Sequence, residues 1–120
     1  MAKILVAEDE AIVRLLVADT LRNCGHTVLE AADGQSALET IQAHADLDLV
    51  VSDIRLPKMD GFSVARSALQ LRPGVRLLFL TGYLRAELPG ELSRAVIMRK
   101  PFDPDDLARK VTGMLETKQA

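Results

Sequence analysis

Five short runs of mostly branched apolar residues recur along the chain, at Lys3 to Ala7, Thr27 to Ala31, Leu47 to Ser52, Val75 to Leu80 and Ala95 to Arg99. Between them apolar positions return every three or four residues, the spacing of a helix with one buried face. The pattern predicts strand and helix in alternation. The first helix is expected from Ala11 to Cys24, with Ile12, Leu15, Leu16 and Leu21 on its inner face and Gly25 ending it. After the Asp33-Gly34 turn a second helix carries Ala37, Leu38 and Ile41, with His44 near its end. Leu49, Val50 and Val51 are apolar in succession, which marks a strand covered on both faces and therefore central. Pro57 and Asp60-Gly61 form a tight loop, a helix follows from Phe62 to Leu71, and Pro73-Gly74 ends it. Asp103 and Pro104 open the last helix, which runs to Leu115. The stretch from Tyr83 to Arg94 should also hold a helix, but Pro89-Gly90 divides it into pieces too short to be stable alone. The expectation there is a short or mobile fourth helix.

Parallel strands joined by helices need right-handed crossovers, so the fold class is α/β, a doubly wound five-stranded parallel sheet with helices on both faces. A chain of 120 residues buries a sufficient core as one domain. No linker interrupts residues 1–120, and only Thr117 to Ala120 follow the last helix, so no output domain is expected. The net charge of -2 with scattered Lys and Arg lacks the basic stripe of a nucleic-acid binder. No apolar run approaches the ~20 residues of a membrane span, and MAKILVAEDE is too short and too acidic for a signal peptide. No membrane association and a cytoplasmic location are therefore expected. Cys24, the lone cysteine, sits late in an apolar-periodic stretch and is expected to be a buried, inert thiol.

In such sheets ligands bind at the carboxyl ends of the strands, where strand order reverses. Those positions hold Glu8-Asp9, Asp53, Thr81-Gly82 and Lys100-Pro101. Singly, each has an ordinary reading: an acid pair capping a helix, an Asp opening a turn, a Thr-Gly turn, a surface Lys before Pro. Together they place three carboxylates, a hydroxyl and an ammonium on one edge, which is a candidate site. Carboxylates ~4 Å apart repel by about 4 kcal/mol per pair at an effective dielectric of about 20, so the cluster asks for a cation. Oxygen ligands select a hard ion, Mg2+ or Mn2+; His26 and His44 belong to other elements. A cation, an ammonium and a hydroxyl around a carboxylate are the equipment of phosphoryl transfer. In that arrangement Asp53 is the nucleophile and Glu8 and Asp9 anchor the metal. Lys100 pairs with one phosphoryl oxygen and Thr81 donates to another.

The segments ILVAEDE, DLVVSDIRLPKMDGF, LFLTGY and RKPF, each in its expected element, resemble the receiver domain of two-component response regulators, the CheY-like family, across essentially the whole chain. The resemblance implies a flavodoxin-like strand order of 2-1-3-4-5 and an aspartyl phosphate at Asp53. The phosphodonor it implies is a phosphohistidine on a histidine kinase or histidine phosphotransfer protein. It further implies a metal held by Glu8, Asp9, Asp53 and the backbone carbonyl of Arg55, and a typically cis Pro101 after the lysine. The role implied is regulatory rather than enzymatic: phosphorelay signal transduction that switches contacts with a downstream protein. Two departures are visible. The acid pair is Glu-Asp where Asp-Asp is commoner, and Ile97 stands where the family usually has Tyr or Phe as its switch residue. LFLTGY resembles the Phe-Ala-Thr-Gly-aromatic signature of a receiver subfamily that lacks that aromatic, with Leu80 in place of Ala. A switch through Thr81 and Tyr83 that orders Leu84 to Ser93 is expected on that basis. The alternative is a pseudo-receiver that is never phosphorylated, but such modules generally lose an acid, the Thr or the Lys. A flavodoxin-like electron carrier lacks its phosphate-cradling loop here, and a small phosphatase lacks a second acid two residues after Asp53.

Overall fold

The computed structural model describes residues 1–82 and 88–116; Tyr83 and residues 84–87 of the segment expected to order on switching lie outside them. Strands β1 (Lys3–Ala7), β2 (Thr27–Ala31), β3 (Leu49–Asp53), β4 (Arg76–Thr81) and β5 (Val96–Arg99) form one parallel sheet in the order β2-β1-β3-β4-β5. Helices α1 (Ala11–Asn23), α2 (Gly34–Ala43), α3 (Gly61–Leu71) and α4 (Pro104–Glu116) join and flank the strands. Side chains alternate across each strand, so the sheet divides the core in two. Leu5, Val50, Leu77 and Phe79 face the α2 and α3 side, while Ile4, Val6, Leu49, Val51, Leu78 and Leu80 face the α1 and α4 side. Phe79 meets Phe62 of α3 edge-to-face, with ring centroids 5.2 Å apart. β3 is buried over its first four residues, as its unbroken apolar run predicts.

Two expectations are corrected. In α1 the inner face is formed by Val17, Ala18 and Leu21, with Val13 packed beside them, whereas Ile12, Leu15 and Leu16 point to solvent. At 100° per residue those three lie on the opposite side of the helix. AIVRLLVADTL is apolar around most of its circumference, so spacing offers two candidate faces and packing on β1 and β2 chooses one. Cys24 is exposed, because it caps the helix, where its N–H bonds the Leu21 carbonyl, rather than lying on a buried turn. Between β4 and β5 the described residues form a 3-10 turn, Gly90–Leu92, which drives Leu92 into the core beside α3. A single turn fits the division imposed by Pro89-Gly90.

The loop after β3 is held at two glycines. Gly61 donates its N–H to the Ile54 carbonyl at 2.8 Å, and a Cβ there would overlap the Asp53 carbonyl oxygen. Gly34 donates to the Pro57 carbonyl at 3.0 Å, and a Cβ there would overlap the Met59 main chain. Backbone cannot yield as a flexible side chain can. Gly61→Ala is therefore expected to cost about 3 kcal/mol of unfolding free energy. Gly74→Ala, with nothing within 4 Å of its Cβ, should stay within about 0.5 kcal/mol of the parent. Urea titration distinguishes them: equal midpoints for the two variants would show that the β3–α3 loop relaxes freely.

Candidate functional site

The chain leaves β1 toward β2 on one side and returns through β3, β4 and β5 on the other, so the crevice where order reverses opens between the ends of β1 and β3. Glu8 and Asp9 follow β1 at that point, and Asp53 is the last residue of β3. One ligand oxygen from each of Glu8, Asp9 and Asp53 falls within 4.8 Å of the others. Glu8 is fully buried, Asp53 is half-buried and Asp9 is exposed at the mouth. Lys100, one residue past β5, reaches across the sheet end. Its Nζ donates to Asp53 Oδ2 at 2.7 Å and to Glu8 Oε1. Thr81, last in β4, is buried beside them in the strand order, and its carbonyl accepts from the Lys100 N–H at 2.7 Å. Four strand ends thus supply the group predicted from spacing.

Main-chain bonds aim these side chains. Asp53 Oδ1 accepts from the Arg55 N–H at 3.2 Å, which orients the carboxylate toward the crevice and brings Arg55 next to it. Ser52 Oγ donates to the Asp53 carbonyl at 2.8 Å. The Lys100-Pro101 peptide bond is cis. Ile97 pairs with Phe79 in the β4–β5 ladder and is half-buried against the α2–α3 side. His26 Nδ1 accepts from the Ala2 N–H at the opposite end of the sheet.

The electrostatics follow from three acids around one ammonium. Burial pushes the Glu8 carboxyl above its usual range, against the opposing hydrogen bond from Lys100, and the neighbouring Asp9 and Asp53 raise it further. Burial alone would lower the Lys100 ammonium, but its hydrogen bonds to Asp53 and Glu8 outweigh that and hold it above the ordinary lysine value. Three acids meet at the site and Lys100 bonds two of them. An oxygen-only set with this spacing fits a hard divalent cation, which would share with Lys100 the neutralisation of the carboxylates.

Arg14 escaped the reading of the sequence. Its Nη1 donates to the Glu8 carbonyl at 2.9 Å. The available signal was a lone arginine in an otherwise apolar stretch of α1, one turn beyond the acid pair.

A doubly wound sheet with acids at its switch point and a lysine after the last strand describes a class of signalling domain, and comparison with known proteins agrees. The family profile of the response regulator receiver domain matches residues 4–112. The response regulator receiver protein CpdR of Brucella abortus is 32% identical over 118 residues, covering 96% of this chain and 98% of CpdR. The chain is also 36% identical over 120 residues to the sensor kinase CckA of the same organism, but spans only 13% of that kinase's length. A solved receiver domain of the hybrid histidine kinase CckA superposes with a TM-score of 0.82 at 33% identity, covering 95% of this chain and 99% of that one. A CheY-like receiver domain from Methanospirillum hungatei superposes with a TM-score of 0.87 at 28% identity, covering 97% and 94%. The chain belongs to the response regulator receiver domain family of two-component signalling, a regulatory family. No helix among the described residues is long and apolar enough to cross a membrane.

Proposed function

We propose that this receiver accepts a phosphoryl group on Asp53 from a phosphohistidine of a histidine kinase or phosphotransfer protein, with Mg2+ held by Glu8, Asp9, Asp53 and the Arg55 carbonyl. The observation that carries this reading is the Lys100 ammonium bonded to both Glu8 and Asp53 while Asp9 completes the same acid cluster. Mg2+ bound there supplies neutralisation of the phosphoryl oxygens. The chain's own groups do the rest. An Asp53 carboxylate oxygen attacks phosphorus, the O–P bond forms as the P–N bond breaks, and the imidazole leaves with its nitrogen free to take a proton. Lys100 exchanges a carboxylate oxygen for a phosphoryl oxygen, and the Thr81 hydroxyl donates to another. Burial of Thr81, and of the Glu8 carboxylate that accepts from Lys100, keeps the hydroxyl and the ammonium oriented before transfer.

Hydrolysis of the aspartyl phosphate returns the resting state, so the chain assists its own phosphorylation and dephosphorylation without turning over a separate substrate. Phosphorylation draws the Thr81 hydroxyl toward the new charge, and the switch expected through Thr81 and Tyr83 changes the surface offered to a downstream protein. The test is incubation with acetyl phosphate and Mg2+ followed by intact mass and peptide mapping. An adduct of about 80 Da on the wild type that is lost in Asp53→Ala supports the assignment. A wild type that gains no mass, or an adduct that survives Asp53→Ala, rejects it.

A further inference from the structure

Both main-chain polar groups of Glu8 are tied down. Its N–H donates to the Ala31 carbonyl of β2 at 3.0 Å, and its carbonyl accepts from Arg14 Nη1 at 2.9 Å. Arg14 is itself held, since its Nε lies 3.4 Å from Glu30 Oε1 on β2. The other Glu30 oxygen lies 3.0 Å from Arg22 Nη2, which also donates to the Val28 carbonyl at 3.0 Å. With 21% of its side chain exposed, Arg14 is mostly screened from water, so its bonds are worth more than those of a surface pair. Two arginines of α1 thus grip one carboxylate of the edge strand, and the nearer one reaches back six residues onto the loop that carries the acid pair.

A glutamate places its carboxylate one bond further from the main chain than an aspartate does. Its position therefore depends on how firmly the main chain is set. We propose that Arg14 is a positioning residue of the acid site: through the Glu8 carbonyl it fixes where the Glu8 and Asp9 carboxylates stand, and thereby sets the affinity for the divalent cation. Arg14 bonds the Glu8 main chain and the Glu30 carboxylate, and so acts on the acid site through the main chain. The inference rests on the phosphoacceptor reading above.

Charge and geometry pull in opposite directions, which makes the proposal decidable. A guanidinium near an acid cluster repels a divalent cation, so by its field alone Arg14→Gln should leave Mg2+ binding unchanged or tighten it. Loss of positioning should weaken it about tenfold, as removal of a group supporting a metal ligand commonly does. Arg14→Lys keeps the charge but loses the fork that spans Glu8 and Glu30, so the field predicts no change and positioning predicts weaker binding. Mg2+ titration followed by NMR gives the Kd, and thermal melts in chelator show whether each variant folds. Acetyl phosphate uptake supplies a second readout: the rate should fall at limiting Mg2+ and return to within about twofold of the wild type at saturation, because the transfer groups are untouched. A folded Arg14→Gln that binds Mg2+ as tightly as the wild type, or more tightly, overturns the proposal alone. If Arg14→Gln does not fold, Arg14→Lys decides by the same Kd. A wild type that neither binds Mg2+ nor gains a phosphoryl group overturns the parent reading and this one with it.

Discussion

Lys100→Met is expected to slow phosphoryl uptake by about 100- to 1,000-fold at saturating Mg2+, the loss that follows removal of one preorganised donor from developing negative charge. Lys100 stands against Asp53 Oδ2 at 2.7 Å and against Glu8, where it balances carboxylates and, on the proposed reading, a phosphoryl oxygen during transfer. Methionine matches its stem in length and brings no charge. Removing the ammonium also removes a competitor for the same carboxylates, so metal affinity should hold or rise while transfer fails. Rates from quenched intact-mass time courses, set beside Mg2+ titrations, separate the two effects. Parallel losses of affinity and rate would mean that Lys100 acts by organising the metal ligands instead.

Glu8→Gln is expected to do the reverse, lowering Mg2+ affinity by about 100-fold or more through loss of a charged ligand. Without metal the sign of its effect on stability changes. The Glu8 carboxyl is raised above 4.5, its ordinary value, chiefly by burial. A raised carboxyl contributes stability below the unfolded-state value and loses it as pH rises through the folded-state value, because ionisation is then easier in the unfolded chain. Glutamine has nothing to ionise. In chelator the variant should therefore match the wild type most closely near pH 4.5 and become the more stable of the two as pH rises toward neutrality. Excess Mg2+ should restore the wild type, which gains binding free energy that the variant lacks. Urea midpoints across pH, with chelator and with Mg2+, measure this; curves that stay parallel at every pH would remove Glu8 ionisation from the balance.

The elements and the candidate site were legible to different depths. Strand positions, the α/β alternation and the residues at strand ends follow from runs and spacings that are local, and the observed boundaries fall within about two residues of them. The convergence of Glu8, Asp9 and Asp53 followed from the rule that adjacent parallel strands end together at the reversal of order. The inner face of α1 did not follow, since Ile12, Leu15 and Leu16 are as apolar as Val13, Val17 and Leu21 and differ only in which side meets the sheet. Nor did the exposure of Cys24, which turns on the helix ending one residue sooner.

Periodicity and turn chemistry act between near neighbours in the chain, so the order of residues was enough to specify strands, helices, a parallel sheet and the set of acids, hydroxyl and lysine along one edge. Contacts between distant segments needed coordinates. Lys100 is 92 positions from Glu8, yet it bonds that carboxylate and Asp53 together. Arg14 holds the Glu8 carbonyl because Glu30 of a different strand holds Arg14. Gly34 and Gly61 are needed where they stand because other backbone passes too close for a side chain. Each of these depends on how helices seat against the sheet, and that is decided by close packing across the whole core, to which no local pattern has access.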